Sequence, residues 1–210
     1  MSAPILIGLT GPAGSGKDSA ADALVHVAGF TKLAFADALR AEVCAAFGVP
    51  LHYLTARETK EHPIQALALS RCMVLGFTHA MQALEPALDV DAPRSPRQVM
   101  QWWGTEFRRA NDTSYWISRA MQRIKRLHKQ GKSVVVTDVR FPDEAEAVRA
   151  MCGVIWQVWR PGVDVADGAH ASETHGREFD PEFVIDNDEG LDELRIEVAA
   201  TLAHMKEMTT

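Results

Sequence analysis

Two kinds of apolar pattern alternate along the chain and predict its secondary structure. Short runs of apolar, often β-branched residues are typical of buried parallel strands, and longer stretches with an apolar residue every three or four positions are typical of helices. Strand-type and helix-type segments follow one another, which predicts an α/β fold, a five-stranded parallel sheet flanked by helices. The predicted strands are residues 5–10, 31–36, 133–137, 154–159 and 183–187.

Two segments depart from this alternation. Between residues 50 and 94 the apolar pattern weakens into a polar stretch and two helical pieces, at 64–76 and 77–88, and we predict a variable helical insertion on the substrate side. Residues 161–181 are polar and contain glycine, as is typical of a lid-like loop that excludes water from a reaction. The whole chain, residues 1–210, is predicted to form a single domain that contains both segments.

The first predicted strand leads into a glycine-rich loop and then directly into a helix. Residues 11–18 read GPAGSGKD, the phosphate-loop spacing Gly-x-x-x-x-Gly-Lys. Glycines let backbone N–H groups curl around a polyphosphate, and the helix N-terminus adds unpaired N–H groups and roughly half a positive charge. Lys17 can bridge the outer phosphates. A chance glycine-rich turn explains the pattern poorly, since strand, loop and helix occur in the required order.

Asp18 stands where the general pattern has the Ser or Thr that ligates Mg²⁺, and Ser19 follows it. A carboxylate at this position can hold Mg²⁺ directly or through water, because this ion prefers oxygen ligands and keeps several waters. The alternative is that Asp18 only caps the helix and suits its dipole. Both interpretations are compatible with the sequence.

Asp37 and Arg40 follow the second predicted strand, at the sheet edge where open α/β folds bind ligands. The two residues lie one helical turn apart, so they can contact the same ligand. Alternatively, Asp37 caps the next helix and Arg40 is solvated. The sequence favours neither interpretation.

Asp138 and Arg140 follow the third predicted strand. An acid in this position can orient Mg²⁺ or its waters beside the phosphate loop, and an arginine can neutralise charge on a transferring phosphoryl group. The competing interpretation is a structural pair between Arg140 and Asp143 or Glu144. The position at a strand end favours the functional role.

Residues 95–109, SPRQVMQWWGTEFRR, predict a helix with polar residues on one face. Ser95 is a suitable N-cap, and Gly104 is predicted to end the helix. Arg97 and Gln101 are spaced i, i+4 and so project from the same face. A guanidinium and an amide side by side suit a phosphate or a base edge.

The aromatic and basic residues of the same segment have two possible roles. Trp102 and Trp103 can form a stacking platform for a base, although paired tryptophans more often belong to a core. Arg108 and Arg109 can reach a phosphate. Adjacent helix positions point apart, so only one of the two arginines is needed.

Composition limits the class of protein. The chain has 210 residues, 47% of them apolar, which allows a substantial core. It shows no apolar run of membrane-spanning length and no leader peptide, so we expect a soluble, intracellular protein. A net charge of -6 argues against a broad nucleic-acid surface. Three dispersed cysteines are read as thiols in a reducing compartment.

Taken together, the motifs resemble the deoxynucleoside monophosphate kinases of bacteriophages. The matching segments follow the family order over nearly the whole chain, and only residues 50–93 lack a clear counterpart. The Asp after the loop lysine, unusual in the general pattern, is what this family has. The segments are GPAGSGKDSAAD (11–22), LAFADALR (33–40), SPRQVMQWWGTEFRR (95–109), SYWI (114–117), VVVTDVRFPDEAEAVRAM (134–151), WRPG (159–162), HASE (170–173) and VIDNDEGLDEL (184–194).

The resemblance implies the P-loop kinase fold and transfer of the γ-phosphate of ATP, with Mg²⁺, to a deoxynucleoside 5′-monophosphate. It also favours a homodimer. The apolar pattern argues against a membrane partner and the net charge against a nucleic-acid partner, and we expect a location in the cytoplasm, which is the host cytoplasm if a phage encodes the protein. On the ATP side it implies roles for Gly11, Ala13, Gly14, Ser15, Gly16, Lys17, Asp18, Ser19, Arg160 and Asn187, the last near the base. On the acceptor side it implies Asp37, Arg40, Arg97, Gln101, Trp103 and Arg108, with His170 and Glu173 in or near the lid. At the reaction centre it implies Lys17, Asp138 and Arg140, with Asp18 and Asp138 as metal ligands.

Three other functions remain compatible with the sequence. A related P-loop kinase with another acceptor, such as phosphomevalonate, also pairs the loop lysine with Asp. A kinase for a hydroxymethylated base in DNA needs a basic groove, against which the acidic balance argues. The third is a nucleotide-binding switch without enzymatic activity.

Overall fold

The computed structural model describes residues 3–56, 58, 60–163 and 179–208. The chain divides into two compact units, unit 1 with residues 1–35 and 119–210 and unit 2 with residues 36–118. The predicted insertion at 50–94 is part of unit 2. Most of the predicted lid, 164–178, lies outside the described residues.

The longer apolar patterns predict most of the helices correctly, and unit 2 contains three irregular segments. Two 3₁₀ turns lie at Gln65–Leu67 and Leu69–Arg71, and a π-helical segment, Trp102–Arg109, continues α5. The α-helices are α1 Lys17–Ala28, α2 Ala36–Phe47, α3 His52–Thr55, α4 Leu75–Leu84, α5 Pro96–Gln101, α6 Tyr115–Lys129, α7 Pro142–Arg149 and α8 Leu191–Met208.

A five-stranded parallel sheet forms the centre of unit 1, which confirms the predicted fold class. The strand order is β2-β3-β1-β4-β5, so the first strand of the chain is the central one. Every residue of β1 is buried. The strands are β1 Leu6–Thr10, β2 Thr31–Leu33, β3 Val134–Val136, β4 Val154–Trp159 and β5 Phe183–Asp186.

Alternate residues of β1 face opposite sides of the sheet. Ile7 and Leu9 belong to a core that also contains residues of α1 and α8. Gly8 faces the other side, where a Cβ would lie 2.8 Å from the Val139 side chain and 3.5 Å from that of Val148 in α7. Helices therefore cover both faces, and each fully buried large side chain contributes roughly 1.5–3 kcal/mol.

Unit 2 has an aromatic core of its own. Phe77, which is fully buried, lies with ring centroids 6.2 Å from Phe47, 4.6 Å from Trp103 and 5.4 Å from Phe107. Cys72 is buried beside this cluster as a free thiol. Burial raises the pKa of the Cys72 thiol, because a desolvated site disfavours the thiolate.

Two local predictions in unit 2 are wrong. Gly104 does not end a helix: the π-helical segment passes through it to Arg109, and the Gly104 carbonyl accepts a hydrogen bond from Trp116 Nε1 at 3.1 Å. Residues 64–76 are not one helix but two 3₁₀ turns before α4. Ser95 is the N-cap of α5 as predicted, since its Oγ accepts the backbone N–H of Gln98 at 3.2 Å.

None of the helices in the described part of the chain is both long and apolar enough to cross a membrane.

Candidate nucleotide-binding site

A loop of unusual backbone conformation joins β1 to α1. Gly11, Gly14 and Gly16 have φ angles of +133°, +86° and +102°, values that L residues with side chains rarely adopt. A Cβ at Gly11 would collide with the backbone carbonyl oxygen of Val158 in β4. Only glycine fits there, because the loop begins against the neighbouring strand.

Lys17, the first residue of α1, turns its side chain back to the loop. Its Nζ donates hydrogen bonds to the carbonyl oxygens of Gly11 at 2.7 Å and Pro12 at 2.6 Å. These bonds direct the ammonium group to the start of the loop. A positive charge held beside backbone N–H groups and a helix N-terminus makes a site for a phosphate.

Asn187, which directly follows β5, supports the loop through hydrogen bonds. Its Nδ2 donates to the Ser15 carbonyl oxygen at 2.7 Å, and its backbone N–H donates to the Trp159 carbonyl oxygen at 2.9 Å. A Cβ at Gly16 would collide with the Asn187 amide. Asn187 is buried and holds the loop backbone, whereas its predicted position near the ATP base stays a prediction.

The hydroxyl group of Ser15 is a buried polar group that could bind a ligand. Ser15 is fully buried, and its Oγ has no hydrogen-bond partner among the residues that the structure describes. Buried hydroxyl groups are normally satisfied by protein, water or ligand. The loop residues Ala13 and Gly14 are exposed, so a ligand can reach the loop from solvent.

Asp138 lies at the same edge of the sheet, because β3 pairs with β1 in parallel register. The backbone N–H of Val139 donates to the Leu9 carbonyl oxygen at 3.0 Å, which places Asp138 beside the end of β1. Asp138 Oδ1 accepts the backbone N–H of Phe35 at 2.7 Å. One oxygen of this carboxylate therefore ties the end of β2 to β3.

The structure does not form the alternative ion pairs of Arg140. Glu144 Oε2 instead accepts the backbone N–H groups of Arg140 at 2.9 Å and Phe141 at 3.2 Å. The Arg140 guanidinium makes no ion pair with Asp143 or Glu144 in the described part of the chain, and the residue is exposed. Glu144 holds the backbone, and the Arg140 side chain stays available to a ligand.

The oxygen donors of unit 1 fit Mg²⁺ only together with a phosphate ligand. No group of three or more His, Cys, Asp or Glu residues that could hold a metal ion occurs within residues 3–56, 58, 60–163 and 179–208. Asp18 is exposed in the first turn of α1, and Gly16 is the N-cap residue, so Asp18 does not cap the helix. Mg²⁺ commonly binds to one or two carboxylates and substrate phosphates, which suits Asp18 and Asp138.

Two further residues that the sequence assigns to the ATP side are found in unit 1. Ser19 is half-buried in α1, and Arg160 is exposed directly after β4. Since β4 pairs with β1 on the side opposite to β3, Arg160 also follows a strand that ends at the carboxyl edge of the sheet.

The predicted acceptor residues that precede the lid belong to unit 2. Asp37 is in the first turn of α2 and is not its N-cap as the alternative proposed; its Oδ1 accepts Arg40 Nη1 at 3.2 Å. Arg97 forms an ion pair with Glu61 at 2.5 Å. Gln101 is half-buried at the end of α5.

Arg108 lies in a cluster of three aromatic rings and one acid. Its Cζ lies 5.6 Å from the ring centroid of Trp103, 4.8 Å from that of Phe107 and 4.9 Å from that of Tyr115. Its Nε donates to Glu42 Oε2 at 2.9 Å. The guanidinium is thus fixed by ring faces and by a carboxylate.

Trp103 is not a stacking platform for a base, which corrects its assignment as a substrate contact. The side chain is 1% exposed, and its ring packs against Phe77, Phe107 and Phe47. Its polar edge is also used, since Nε1 donates to Glu42 Oε2 at 3.0 Å. With no open ring face, Trp103 can affect a substrate only through its neighbours.

The family model of deoxynucleotide monophosphate kinases matches residues 51–198. The chain belongs to the deoxynucleotide monophosphate kinase family. A protein of Acanthamoeba polyphaga mimivirus with the provisional name deoxynucleotide monophosphate kinase is 25% identical, over 97% of this chain and 99% of its own length. Among solved structures, dephospho-CoA kinase from Campylobacter jejuni is similar in fold, with a TM-score of 0.53 at 12% identity over 98% of both chains.

The match to the deoxynucleotide monophosphate kinase family begins after the phosphate loop. Residues 11–17 lie outside residues 51–198, so the loop geometry is an observation independent of the family model. Both point to a nucleotide kinase.

Sequence reasoning missed Glu42, which accepts the hydrogen bonds from Trp103 and Arg108 described above. It also accepts a hydrogen bond from the Tyr115 hydroxyl group at 2.5 Å. The sequence did contain a signal for Glu42. It lies three residues after Leu39 and four before Ala46, so this acid is on the apolar side of α2, where a carboxylate needs donors.

His170 and Glu173, predicted for the lid, lie outside the described residues.

Proposed function

We propose that the protein transfers the γ-phosphate of ATP to the 5′-monophosphate of a deoxynucleoside and releases ADP and the deoxynucleoside diphosphate. Membership of the deoxynucleotide monophosphate kinase family carries this proposal. The phosphate-loop geometry of unit 1 supports it, because a polyphosphate is the ligand that such a loop suits.

The donor is assigned to unit 1. Backbone N–H groups of residues 11–18, apart from Pro12, which has none, surround the ATP phosphates. The ammonium group of Lys17 exchanges its carbonyl partners for phosphate oxygens. Ser15 Oγ gains the partner that it lacks among the described residues. Asn187 keeps the loop in shape through the Ser15 carbonyl oxygen.

Asp18 and Asp138 are the residues that we assign to Mg²⁺. The ion, when bound with ATP, offsets negative charge on the phosphate oxygens. Asp138 has one carboxylate oxygen fixed by the Phe35 N–H, which sets the direction of the other oxygen.

The acceptor monophosphate is assigned to residues of unit 2, Asp37, Arg40, Arg97, Gln101 and Arg108. Arginines suit this task because the guanidinium offers parallel N–H groups to two phosphate oxygens. Trp103 supports Arg108 without contact with the substrate, given its burial.

The reaction needs no covalent intermediate with the enzyme. An oxygen of the acceptor phosphate attacks the γ-phosphorus of ATP in line, the bond from that phosphorus to the bridging oxygen of the β-phosphate breaks, and ADP leaves with the electron pair. Lys17 and Arg140 stabilise the charge that spreads over the transferring group. The rest of the rate enhancement comes from holding the acceptor phosphate and the γ-phosphate of ATP in line.

Gly11→Ala tests the loop geometry. We expect the free energy of unfolding to fall by about 2 kcal/mol or more, because the φ angle of +133° is strained for alanine and the new Cβ meets the Val158 carbonyl. ATP binding should weaken in parallel. Urea unfolding and calorimetric titration with ATP measure the two effects.

Gly29→Ala is the matched control for this substitution. Gly29 ends α1 with a φ angle of +67°, but a Cβ there meets nothing within 4 Å. Gly29→Ala should lower the free energy of unfolding by only roughly 1–2 kcal/mol, the cost of an alanine in the left-handed conformation. ATP binding should stay unchanged. Equal loss of ATP affinity in both variants would contradict the role of Gly11 in the loop.

The acceptor is identified by ADP release. The purified protein is assayed with ATP and Mg²⁺ against the common and hydroxymethylated deoxynucleoside monophosphates, their ribo counterparts and phosphomevalonate. Turnover with a deoxynucleoside monophosphate is the expected result. Turnover with phosphomevalonate or with hydroxymethylated DNA alone would replace the proposed acceptor, and slow ATP hydrolysis unaffected by every acceptor would indicate a nucleotide switch.

A further inference from the structure

Glu42 joins three side chains from two other segments of unit 2. Its Oε2 accepts Trp103 Nε1 and Arg108 Nε, and its Oε1 accepts the Tyr115 hydroxyl group, at 3.0, 2.9 and 2.5 Å. The Glu42 side chain is 17% exposed. Such a carboxylate is costly to bury unless donors satisfy it, and these three donors come from residues 61 to 73 positions away.

The contact with Arg108 uses only one part of the guanidinium. Glu42 takes Nε, and the terminal nitrogens Nη1 and Nη2 have no hydrogen-bond partner in the part of the chain that the structure describes. The Arg108 side chain is 30% exposed, so these nitrogens can be reached. Two parallel N–H groups held in a fixed direction match two oxygens of a phosphate.

The rings prevent Arg108 from leaving this orientation. Phe107 and Tyr115 lie within 5 Å of Arg108 Cζ, and Trp103 lies at 5.6 Å. Trp103 and Tyr115 are themselves held by Glu42. The same carboxylate thus fixes both the arginine and two of the three rings that surround it.

We infer that Glu42 is a positioning residue for the acceptor phosphate: it binds Arg108 through Nε so that Nη1 and Nη2 meet two phosphate oxygens of the monophosphate. This inference rests on the proposed function, in which Arg108 binds the acceptor. In this inference, the position of the Glu42 carboxylate sets the direction of the Arg108 guanidinium and thereby the preference for a phosphate monoester. The negative charge of Glu42 is not what matters.

Two substitutions separate geometry from charge. Glu42→Asp keeps the charge but withdraws the carboxylate by one methylene, and we expect the KM for the deoxynucleoside monophosphate to rise about tenfold with kcat and the KM for ATP little changed. Glu42→Gln keeps the length: its oxygen accepts the indole and guanidinium N–H groups, and its amide donates to the Tyr115 oxygen. We expect its KM to stay within about threefold of wild type.

A double-mutant cycle shows whether Glu42 acts through Arg108. Arg108→Ala alone should raise the same KM by about 10- to 100-fold, and adding Glu42→Asp to it should cause no further rise. Glu85→Asp is the matched control, because Glu85 is exposed at the end of α4 and loses the same methylene. It should leave every kinetic constant unchanged.

Three results would overturn the inference. The first is that the KM for the deoxynucleoside monophosphate is unchanged in Glu42→Asp. The second is that this KM rises as much in Glu42→Gln as in Glu42→Asp. The third is that Glu42→Asp raises this KM as much in the Arg108→Ala background as in the wild-type protein. If Glu42→Asp does not fold, NMR of the wild-type protein decides: the Arg108 Nε proton should exchange slowly with solvent, and exchange as fast as in free arginine would refute the contact.

Failure of the proposed function gives a different result. In that case the wild-type protein phosphorylates no deoxynucleoside monophosphate, whatever residue 42 is. Calorimetric titration with the monophosphate then tests the inference by itself, since loss of affinity in Glu42→Asp but not in Glu42→Gln supports the positioning role. Turnover by wild type with an unchanged KM in Glu42→Asp refutes the inference and leaves the function standing.

Discussion

Lys17→Ala should lower kcat by about 10²–10³, or roughly 2.7–4 kcal/mol of transition-state stabilisation, while the protein stays folded. The ammonium group is the positive charge that the loop itself holds, through the Gly11 and Pro12 carbonyl oxygens. Alanine is the best helix former, so α1 should still begin at residue 17. ADP release with saturating substrates measures kcat, and a thermal melt measures folding.

Lys32→Ala is the control for Lys17→Ala. Lys32 is also in unit 1 and also has a hydrogen-bond partner, Asp22 at 2.8 Å, but on an exposed surface. Its loss should change the free energy of unfolding by less than about 1 kcal/mol and leave kcat unchanged. Near-normal turnover in folded Lys17→Ala would remove Lys17 from the reaction.

Arg140→Ala should lower kcat by about 10², because a cation beside the transferring phosphoryl group is lost. The structure makes a purely structural defect a poor alternative: Glu144 binds the Arg140 backbone N–H, which alanine keeps, and the side chain is exposed. The free energy of unfolding should therefore change by no more than about 0.5 kcal/mol. Kinetics and urea unfolding of the same preparation measure both quantities.

Arg126→Ala controls for the loss of an exposed arginine from unit 1. Arg126 lies on the polar face of α6 and should be dispensable for turnover. A markedly destabilised Arg140→Ala with normal activity per folded molecule would show that Arg140 stabilises the fold and takes no part in transfer.

The sequence predicted the parts of unit 1 that depend on local patterns. The strand at residues 154–159 has the predicted bounds, because an apolar run determines them locally. The loop glycines were found from a local pattern as well. The close contacts of these glycines with Val158 and Asn187 were not predicted, because they depend on how strands distant in sequence pair.

Unit 2 was harder to predict because its contacts decide its local structure. Gly104 looked like a helix terminus, but the helix widens into π turns there and the glycine is buried against Leu39, where a Cβ would lie 3.3 Å from Cδ2. Trp103 looked like a candidate for base contact, and its burial follows from rings far away in sequence. The contacts of Glu42 with Trp103, Arg108 and Tyr115 join residues 61 to 73 positions apart in sequence, so local patterns could not reveal them.

The hydrogen bond from Asn187 to Ser15 has a consequence for biosynthesis. It spans 172 residues, and within the described part of the chain β1 pairs with β3 and β4, which leave the ribosome after it. The loop at residues 11–18 is thus made early, but its hydrogen bond from Asn187 can form only after β5 has been translated. We expect a nascent chain that stops before residue 187 to bind ATP more weakly than the full chain, because this support of the Ser15 carbonyl oxygen is missing.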